Sequence, residues 1–78
     1  MPTIDIKATG ENIARLRNDT GITVKKMQEI LGFGTPQAIY KWQRGDALPT
    51  IDNMVVLADI FKVRIDDIVV LAQQGNRP

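Results

Sequence analysis

An all-α fold is predicted by three features of this 78-residue sequence. Apolar residues recur at helical spacing in five short segments. Threonine precedes four of these segments and glycine follows three of them, as is typical of helix starts and ends. The connections between the segments are short, so the helices must pack around one core. We therefore expect a compact five-helix bundle without a sheet.

Composition excludes several classes of function. Hydrophobic residues make up 44% of the chain and charged residues 24%, which is typical of one globular domain. The chain contains no Cys, His or Ser, so neither a disulfide, a metal site, a cofactor nor an enzymatic nucleophile is predicted. No apolar run approaches the length of a membrane span and no signal pattern is present. We expect a cytoplasmic protein that is not an enzyme.

The first half of the chain predicts an arm followed by two helices. Residues 1–8 alternate briefly and could form an arm or a short strand; we assign them to an N-terminal arm. Thr9 is the expected cap of the first helix, in which Ile13 and Leu16 share a face, and Gly21 stops it. Thr23 is the expected cap of the second helix, with Met27, Ile30 and Leu31 directed inward and Gly32 at its end.

Three more helices follow. Thr35 is the expected cap of a helix over 35–44, with Pro36 at its first position. Thr50 opens a fourth helix whose apolar stripe contains Met54, Leu57, Ala58 and Phe61. A fifth helix begins near Ile65, and Asp66 and Asp67 in its first turn favour its dipole. The predicted domain therefore covers 9–72, and 73–78 form a flexible tail.

Charge is distributed unevenly along the chain, although the net charge is only +1. Residues 22–45 carry four cationic side chains and one carboxylate, a net charge of +3. Residues 46–72 carry two cationic side chains and five carboxylates, a net charge of −3. The two segments could face different partners, or the pattern could be a chance arrangement of solvated charges.

The segment GFGTPQAIYKWQRG, residues 32–45, predicts a helix-turn-helix. The tight turn GFG forces a steep crossing between the second and third helices. In the third helix Ile39 and Trp42 form a buried seam, and the polar residues Gln37, Tyr40, Lys41 and Arg44 share the opposite face. A helix fits the DNA major groove, where Gln can bind adenine and Lys or Arg can bind guanine.

An alternative to DNA binding is an ordinary surface helix, on which each of these polar residues, taken singly, would simply be solvated. It explains less well why this face contains no acid in a chain with nine Asp and Glu residues. Trp42 could stack on a base, but its spacing from Ile39 favours the core. The pattern therefore favours DNA binding.

Several segments together resemble the Cro/repressor-type (XRE-like) helix-turn-helix family. They are ENIARLRNDTGIT, MQEILGF, AIYKWQRGDALPTIDNMVVLADIFKV and IDDIV, and the resemblance covers about residues 10–70. The most specific element is Trp-x-Arg-Gly followed by x-x-x-Pro and the Leu-Ala pair of the fourth helix. The resemblance implies a lambda-repressor-like DNA-binding domain, binding to double-stranded DNA in transcriptional regulation, and frequent dimerisation.

The resemblance also implies roles for individual residues. The positions that usually touch base edges are occupied here by Gln37, Ala38 and Lys41. The positions that contact the DNA backbone or flank the bases are occupied by Thr23, Thr35, Tyr40 and Arg44. Lys25, or the amide of Val24, would replace a phosphate-contacting Gln that many relatives have.

Other departures from the family pattern concern the turn and its surroundings. Gly34 is one residue more than the common turn contains, so the third helix could enter at a different angle. Gln28 replaces a usual Ala where the second and third helices pack. Pro36 leaves only apolar contact, for example with a thymine methyl group, at a position that can read a base.

The apolar run from Ile68 to Ala72 suggests a dimer. In a helix these consecutive side chains point in all directions, and a domain this small cannot cover them all. The hypothesis is that Val56, Val69 or Val70 contributes to a two-fold homodimer, which would place two recognition helices about one DNA turn apart. The alternative is a frayed helix end with a few exposed valines.

The sequence thus predicts a small sequence-specific transcriptional regulator, acting as a repressor, that inserts helix 35–44 in the major groove. Two alternatives remain open. One is an antitoxin-like DNA-binding protein whose acidic second half binds a toxin protein. The other is a protein-interaction domain that no longer binds DNA.

Overall fold

The computed structural model describes residues 1–72, which form five helices. They are α1 (Ile6–Thr20), α2 (Val24–Leu31), α3 (Gln37–Arg44), α4 (Ile51–Phe61) and α5 (Ile65–Ile68). Within 1–72 there is no strand, only an isolated antiparallel bridge between Ile4 and Leu71. The predicted five-helix, all-α architecture is confirmed. The predicted tail, 73–78, lies outside the described residues.

The core contains side chains from every helix. Its buried apolar residues are Ile13, Leu16, Met27, Ile39, Trp42, Met54, Leu57, Phe61 and Ile68. Helical spacing predicted most of this set, which shows that the amphipathic pattern fixes how each helix faces the core. Ile30 is an exception: it was predicted to point inward, but it lies on the exposed side of α2, and Leu31 packs on the core instead.

Threonine caps begin α2 and α4 as predicted. The Thr23 hydroxyl oxygen accepts a hydrogen bond from the Lys26 amide at 3.0 Å, and the Thr50 hydroxyl oxygen accepts one from the Asn53 amide at 3.3 Å. Each bond satisfies an amide that has no partner inside its helix. In α5, the Asp67 carboxylate accepts a hydrogen bond from the Arg64 amide at 3.0 Å, so an acidic residue does stabilise that helix start.

The prediction that Thr9 caps α1 is wrong. The cap is Asp5, whose carboxylate accepts a hydrogen bond from the Ala8 amide at 2.9 Å. Thr9 lies inside the helix and is fully buried, and its hydroxyl oxygen accepts a hydrogen bond from the Val70 amide at 2.9 Å. The Thr9 side chain is therefore used for a tertiary contact.

The predicted boundary of the N-terminal arm at residue 8 is also wrong, because it falls inside α1. Residues 3–5 are not free: the Asp5 amide donates to the Val70 carbonyl at 2.8 Å, and the Ala72 amide donates to the Thr3 carbonyl at 2.8 Å. The two ends of the described chain thus form a short antiparallel pair.

The fifth helix is shorter than predicted. It ends at Ile68, and Val69 has extended backbone angles (φ −78°, ψ 130°). The side-chain amide of Asn12 donates to the carbonyl oxygens of Asp67 and Ile68 at 2.8 and 3.0 Å, which satisfies acceptors left free at the helix end. The idea that consecutive valines point all round a helix is therefore wrong.

Val69 packs against the core, and Val70 is half-buried with its backbone paired to Asp5 and Thr9. Val56 is half-buried on α4.

None of the helices within 1–72 has the length and apolar character that crossing a membrane requires.

Candidate nucleic-acid interface

The turn between α2 and α3 is stabilised by its own backbone and by Gln28. Gly32 ends α2 with φ 75°, a conformation that glycine adopts at low cost. The Phe33 amide donates to the Gln28 carbonyl at 3.0 Å, and the Gln28 side-chain amide donates back to the Phe33 carbonyl at 3.3 Å. The unusual Gln28 therefore fixes the turn that follows its own helix.

Phe33 connects this turn to α3. Its ring meets the Trp42 ring edge-on, with centroids 5.8 Å apart and planes at 70°. Trp42 and Ile39 are both buried, as the sequence predicted. Three apolar side chains thus fix α3 against the turn and the core, and its opposite face is left to solvent.

The helix starts later than predicted. α3 begins at Gln37, two residues after the predicted start at 35, and Pro36 precedes it with φ −85° and ψ 4°. The Thr35 hydroxyl oxygen accepts a hydrogen bond from the Gln37 amide at 3.4 Å, which is longer than usual for such bonds. Thr35 is exposed at the helix start, where an anion could approach its hydroxyl and the free amides.

Close backbone packing against α1 holds α3 in position. A methyl group on Gly10 would overlap the backbone carbonyl oxygen of Trp42. At the end of α3, a methyl group on Gly45 would lie 2.7 Å from the Lys7 Cα, and Gly45 also has φ 81°. Glycine at both positions allows the two helix backbones to approach closely.

Arg17 adds a polar connection that the sequence pattern did not indicate. Its Nε donates to the Gln43 side-chain oxygen at 3.0 Å, and one terminal nitrogen donates to the Ile22 carbonyl at 2.9 Å. Arg17 therefore bridges α1, the following turn and α3. No local signal distinguishes it from a solvated arginine, because both acceptors depend on the tertiary fold.

The exposed face of α3 consists of the predicted residues. Gln37, Tyr40, Lys41 and Arg44 are all exposed, and together they line an open depression of about 230 Å³. Two cations, an amide and a phenol thus converge on one surface, and α3 itself contains no carboxylate. This surface can donate hydrogen bonds to neutral acceptors and can attract anions.

One predicted base-reading residue contributes little to this face. Ala38 is half-buried and packs against the core, so its methyl group is directed partly away from the depression. The structure therefore brings together Gln37 and Lys41, but not Ala38, around the open surface.

A carboxylate lies beside this face, just after α3. Asp46 Oδ2 is 2.8 Å from Arg44 Nε. Asp46 lies outside the helix, so the pattern of side chains along α3 did not indicate it. The left-handed backbone at Gly45 turns the chain so that the Asp46 side chain points back towards Arg44.

The start of α2 offers a second cationic surface. Thr23 is exposed, and Lys25 is exposed and forms no ion pair with residues 1–72. Lys26, by contrast, lies 3.9 Å from Glu29. An unpaired lysine next to a helix N-terminus is suited to a phosphate group. The described part of the chain contains no cluster of His, Cys, Asp or Glu able to hold a metal ion.

Similarity to solved structures extends over most of the chain. The restriction-modification controller protein C.AhdI from Aeromonas hydrophila is 17% identical, with a TM-score of 0.72 over 82% of this chain and 96% of that one. The DNA-binding domain of BldD is 20% identical, with a TM-score of 0.68 over 83% of this chain and 93% of that one. The clp gene regulator ClgR from C. glutamicum is 18% identical, with a TM-score of 0.68 over 80% of this chain and 79% of that one. At these identities the likeness establishes the fold.

Sequence comparison establishes the family. Curated protein sequences give no significant match. A helix-turn-helix family model, however, matches residues 13–68, which is most of the chain and includes α2, the turn and α3. This chain belongs to the XRE-like (Cro/repressor-type) helix-turn-helix family, whose members are DNA-binding transcription regulators rather than enzymes.

Proposed function

We propose that this protein recognises specific double-stranded DNA sequences by inserting α3 into the major groove. The observation that carries the proposal is the exposed face of α3, where Gln37, Tyr40, Lys41 and Arg44 converge while Ile39 and Trp42 anchor the helix from behind. An α-helix of this diameter fits the groove, and its side chains can then reach base edges.

Base reading is assigned to Gln37 and Lys41. The Gln37 amide can bond both N6 and N7 of adenine, and the Lys41 ammonium can donate to O6 and N7 of guanine. Because Ala38 is half-buried, we assign it only an apolar contact, for example with a thymine methyl group.

Phosphate contacts are assigned to the helix starts. Thr23, Lys25 and Thr35 lie at or near the N-termini of α2 and α3, where free amides and the helix dipole favour anions. Tyr40 lines the same depression, and its hydroxyl group can donate a hydrogen bond to a phosphate of the DNA backbone. Such contacts fix the register on DNA without reading sequence.

We propose further that the protein acts in the cytoplasm as a repressor and binds as a homodimer, with two copies of α3 about one DNA turn apart. The regulators among the similar structures support a regulatory role. Val56 remains a candidate interface residue because it adjoins Val55, which is 56% exposed on α4. Sedimentation at micromolar protein concentration, with and without DNA, tests this: a monomer under both conditions would exclude the dimer.

A second candidate function is binding to a protein partner through α4. Its outer surface exposes Ile51 and Val55 together with the carboxylates of Asp52 and Asp59. Apolar and acidic groups on one surface fit a partner with a basic, partly apolar surface, such as a toxin bound by an antitoxin.

Selection of bound sites from random DNA tests the main proposal. A protein that reads bases through α3 enriches one motif, and a two-fold dimer enriches that motif as a palindrome. A protein-interaction domain that no longer binds DNA enriches nothing at either low or high salt.

A further inference from the structure

Arg44 and Asp46 form an ion pair at the C-terminal end of α3. Arg44 is the last residue of α3, and its Nε lies 2.8 Å from Asp46 Oδ2. The backbone amide of Asp46 donates to the Lys41 carbonyl at 2.9 Å, so the residue that supplies the carboxylate is itself attached to α3. The two side chains remain 59% and 56% exposed, and Arg44 lines the depression on α3, so the pair is accessible to a ligand.

The charge of this pair makes it poorly suited to a phosphate. An arginine beside a carboxylate has almost no net charge, and Asp46 repels the phosphate that Arg44 would attract. A base edge is neutral, so it suffers no such repulsion. Hydrogen-bond donors paired with a carboxylate are therefore better suited to bases than to the DNA backbone.

The free donors of Arg44 match one base. With Nε engaged by Asp46, the N–H groups of the two terminal nitrogens remain for a ligand. Guanine presents two adjacent acceptors, O6 and N7, in the major groove, whereas adenine presents an acceptor beside a donor and thymine an acceptor beside a methyl group. Only guanine can therefore accept two parallel hydrogen bonds from the two terminal nitrogens of Arg44.

The position of Arg44 allows this contact. An eight-residue helix is about 12 Å long, similar to the width of the major groove, so the last turn of α3 can still lie within the groove. Arg44 also lines the same depression as Gln37 and Lys41.

We propose that Arg44 reads a guanine and that Asp46 is a positioning residue, which orients the guanidinium and prevents its use as a general phosphate contact. This inference rests on the proposed major-groove function and adds a specificity-determining pair to it.

The test measures base preference and salt dependence in four variants on DNA selected with the unaltered protein. Arg44→Lys keeps the charge but cannot make the forked contact, so the guanine preference at one position should fall by about 5- to 150-fold. Asp46→Asn should weaken preference at that same position. It should also raise affinity for random DNA and steepen the salt slope by about 0.9, because Arg44 is freed to bind a phosphate.

Asp19→Asn is the matched control, since Asp19 accepts from Arg15 in an equally exposed ion pair of 3.1 Å on α1. It should leave base preference unchanged. The inference is overturned if the Arg44→Lys variant retains every base preference. It is also overturned if Asp46→Asn raises the affinity for all DNA sequences by the same factor and leaves the base preferences unchanged. If that happens while Gln37→Ala still loses preference at a different base position, the proposed reading of bases in the major groove stands without the Arg44–Asp46 pair. Absence of any base preference in the unaltered protein would instead refute the proposed function itself.

Discussion

The backbone of α1 touches the backbone of α3 at Gly10 and Trp42, where the space for a β-carbon on Gly10 is already occupied by the Trp42 carbonyl oxygen. This contact sets how deeply α3 lies in the domain, and α3 packs chiefly on α1. The exposed face of α3 is therefore supported from behind by α1, with Arg17 and Gly45 as further contact points.

Gly10→Ala should destabilise the protein. The obstructing atom belongs to a backbone, so the helices must separate, and overpacking of this kind costs about 1–3 kcal/mol. The better helix propensity of alanine offsets at most about 1 kcal/mol of that cost. Urea denaturation followed by circular dichroism measures the change. A variant that is more stable than the parent by about 0.5–1 kcal/mol, the gain from helix propensity alone, would show that α1 and α3 do not touch here.

Gly34→Ala should have the opposite effect and serves as the matched control. Nothing lies within 4 Å of a β-carbon at this position, and its φ is not in the left-handed region. Alanine then mainly restricts the unfolded chain, which raises stability by about 0.4–1 kcal/mol. DNA affinity should be unchanged, measured by titration with a selected site. A clear loss of affinity would mean that the turn requires the flexibility of Gly34 on binding.

Thr9→Val should weaken the attachment of the C-terminal segment. Valine has a similar shape but cannot accept the hydrogen bond from the Val70 amide. Leaving this partly buried amide without its partner costs about 1–3 kcal/mol at most. Hydrogen exchange at Val70 should accelerate. Thr20→Val on the same helix is the control. Thr20 is an exposed residue whose hydroxyl bonds to the Leu16 carbonyl within α1, so the effect should stay within about 0.5 kcal/mol.

Much of the fold, and the geometry of the candidate interface, could be predicted because the determinants are local. The caps of α2 and α4, the buried pair Ile39 and Trp42, and the four exposed residues of α3 all follow from spacing within a few residues. The physical reason is that a helix with a strong apolar face has only one orientation that buries it.

The errors arise where distant residues compete with local signals. Thr9 has the features of a cap, but Val70, 61 residues away, uses its hydroxyl group. The run from Val69 to Ala72 could have continued a helix, but its backbone pairs with residues 3–5 instead. β-Branched valines tolerate this extended conformation well, so the tertiary pairing prevails over a weak helical preference.

The Arg44–Asp46 pair was missed for a related reason. Asp46 follows the glycine that ends α3, so it has no place on a helical wheel. Its position depends on the left-handed backbone of Gly45, which redirects the chain towards the arginine.

Lys25→Ala should weaken binding to all DNA sequences by similar factors. An exposed lysine near the start of α2 contacts phosphate in our proposal, and its loss should flatten the salt dependence of affinity by about one unit. Lys62→Ala removes an equally exposed lysine from the acidic half of the chain and should leave the slope unchanged. If both variants change the slope equally, the effect is one of net charge rather than of a phosphate contact at Lys25.

The central claim is that the exposed face of α3 reads bases, and Gln37→Ala tests it most directly. Affinities are measured for the selected site, for each single-base variant of that site and for random DNA, with Asn18→Ala, an exposed amide on α1, as the control. We predict a loss of about 1–3 kcal/mol on the selected site, with preference relaxed at one base position and little change on random DNA. Equal losses on selected and random DNA would contradict base reading by this helix.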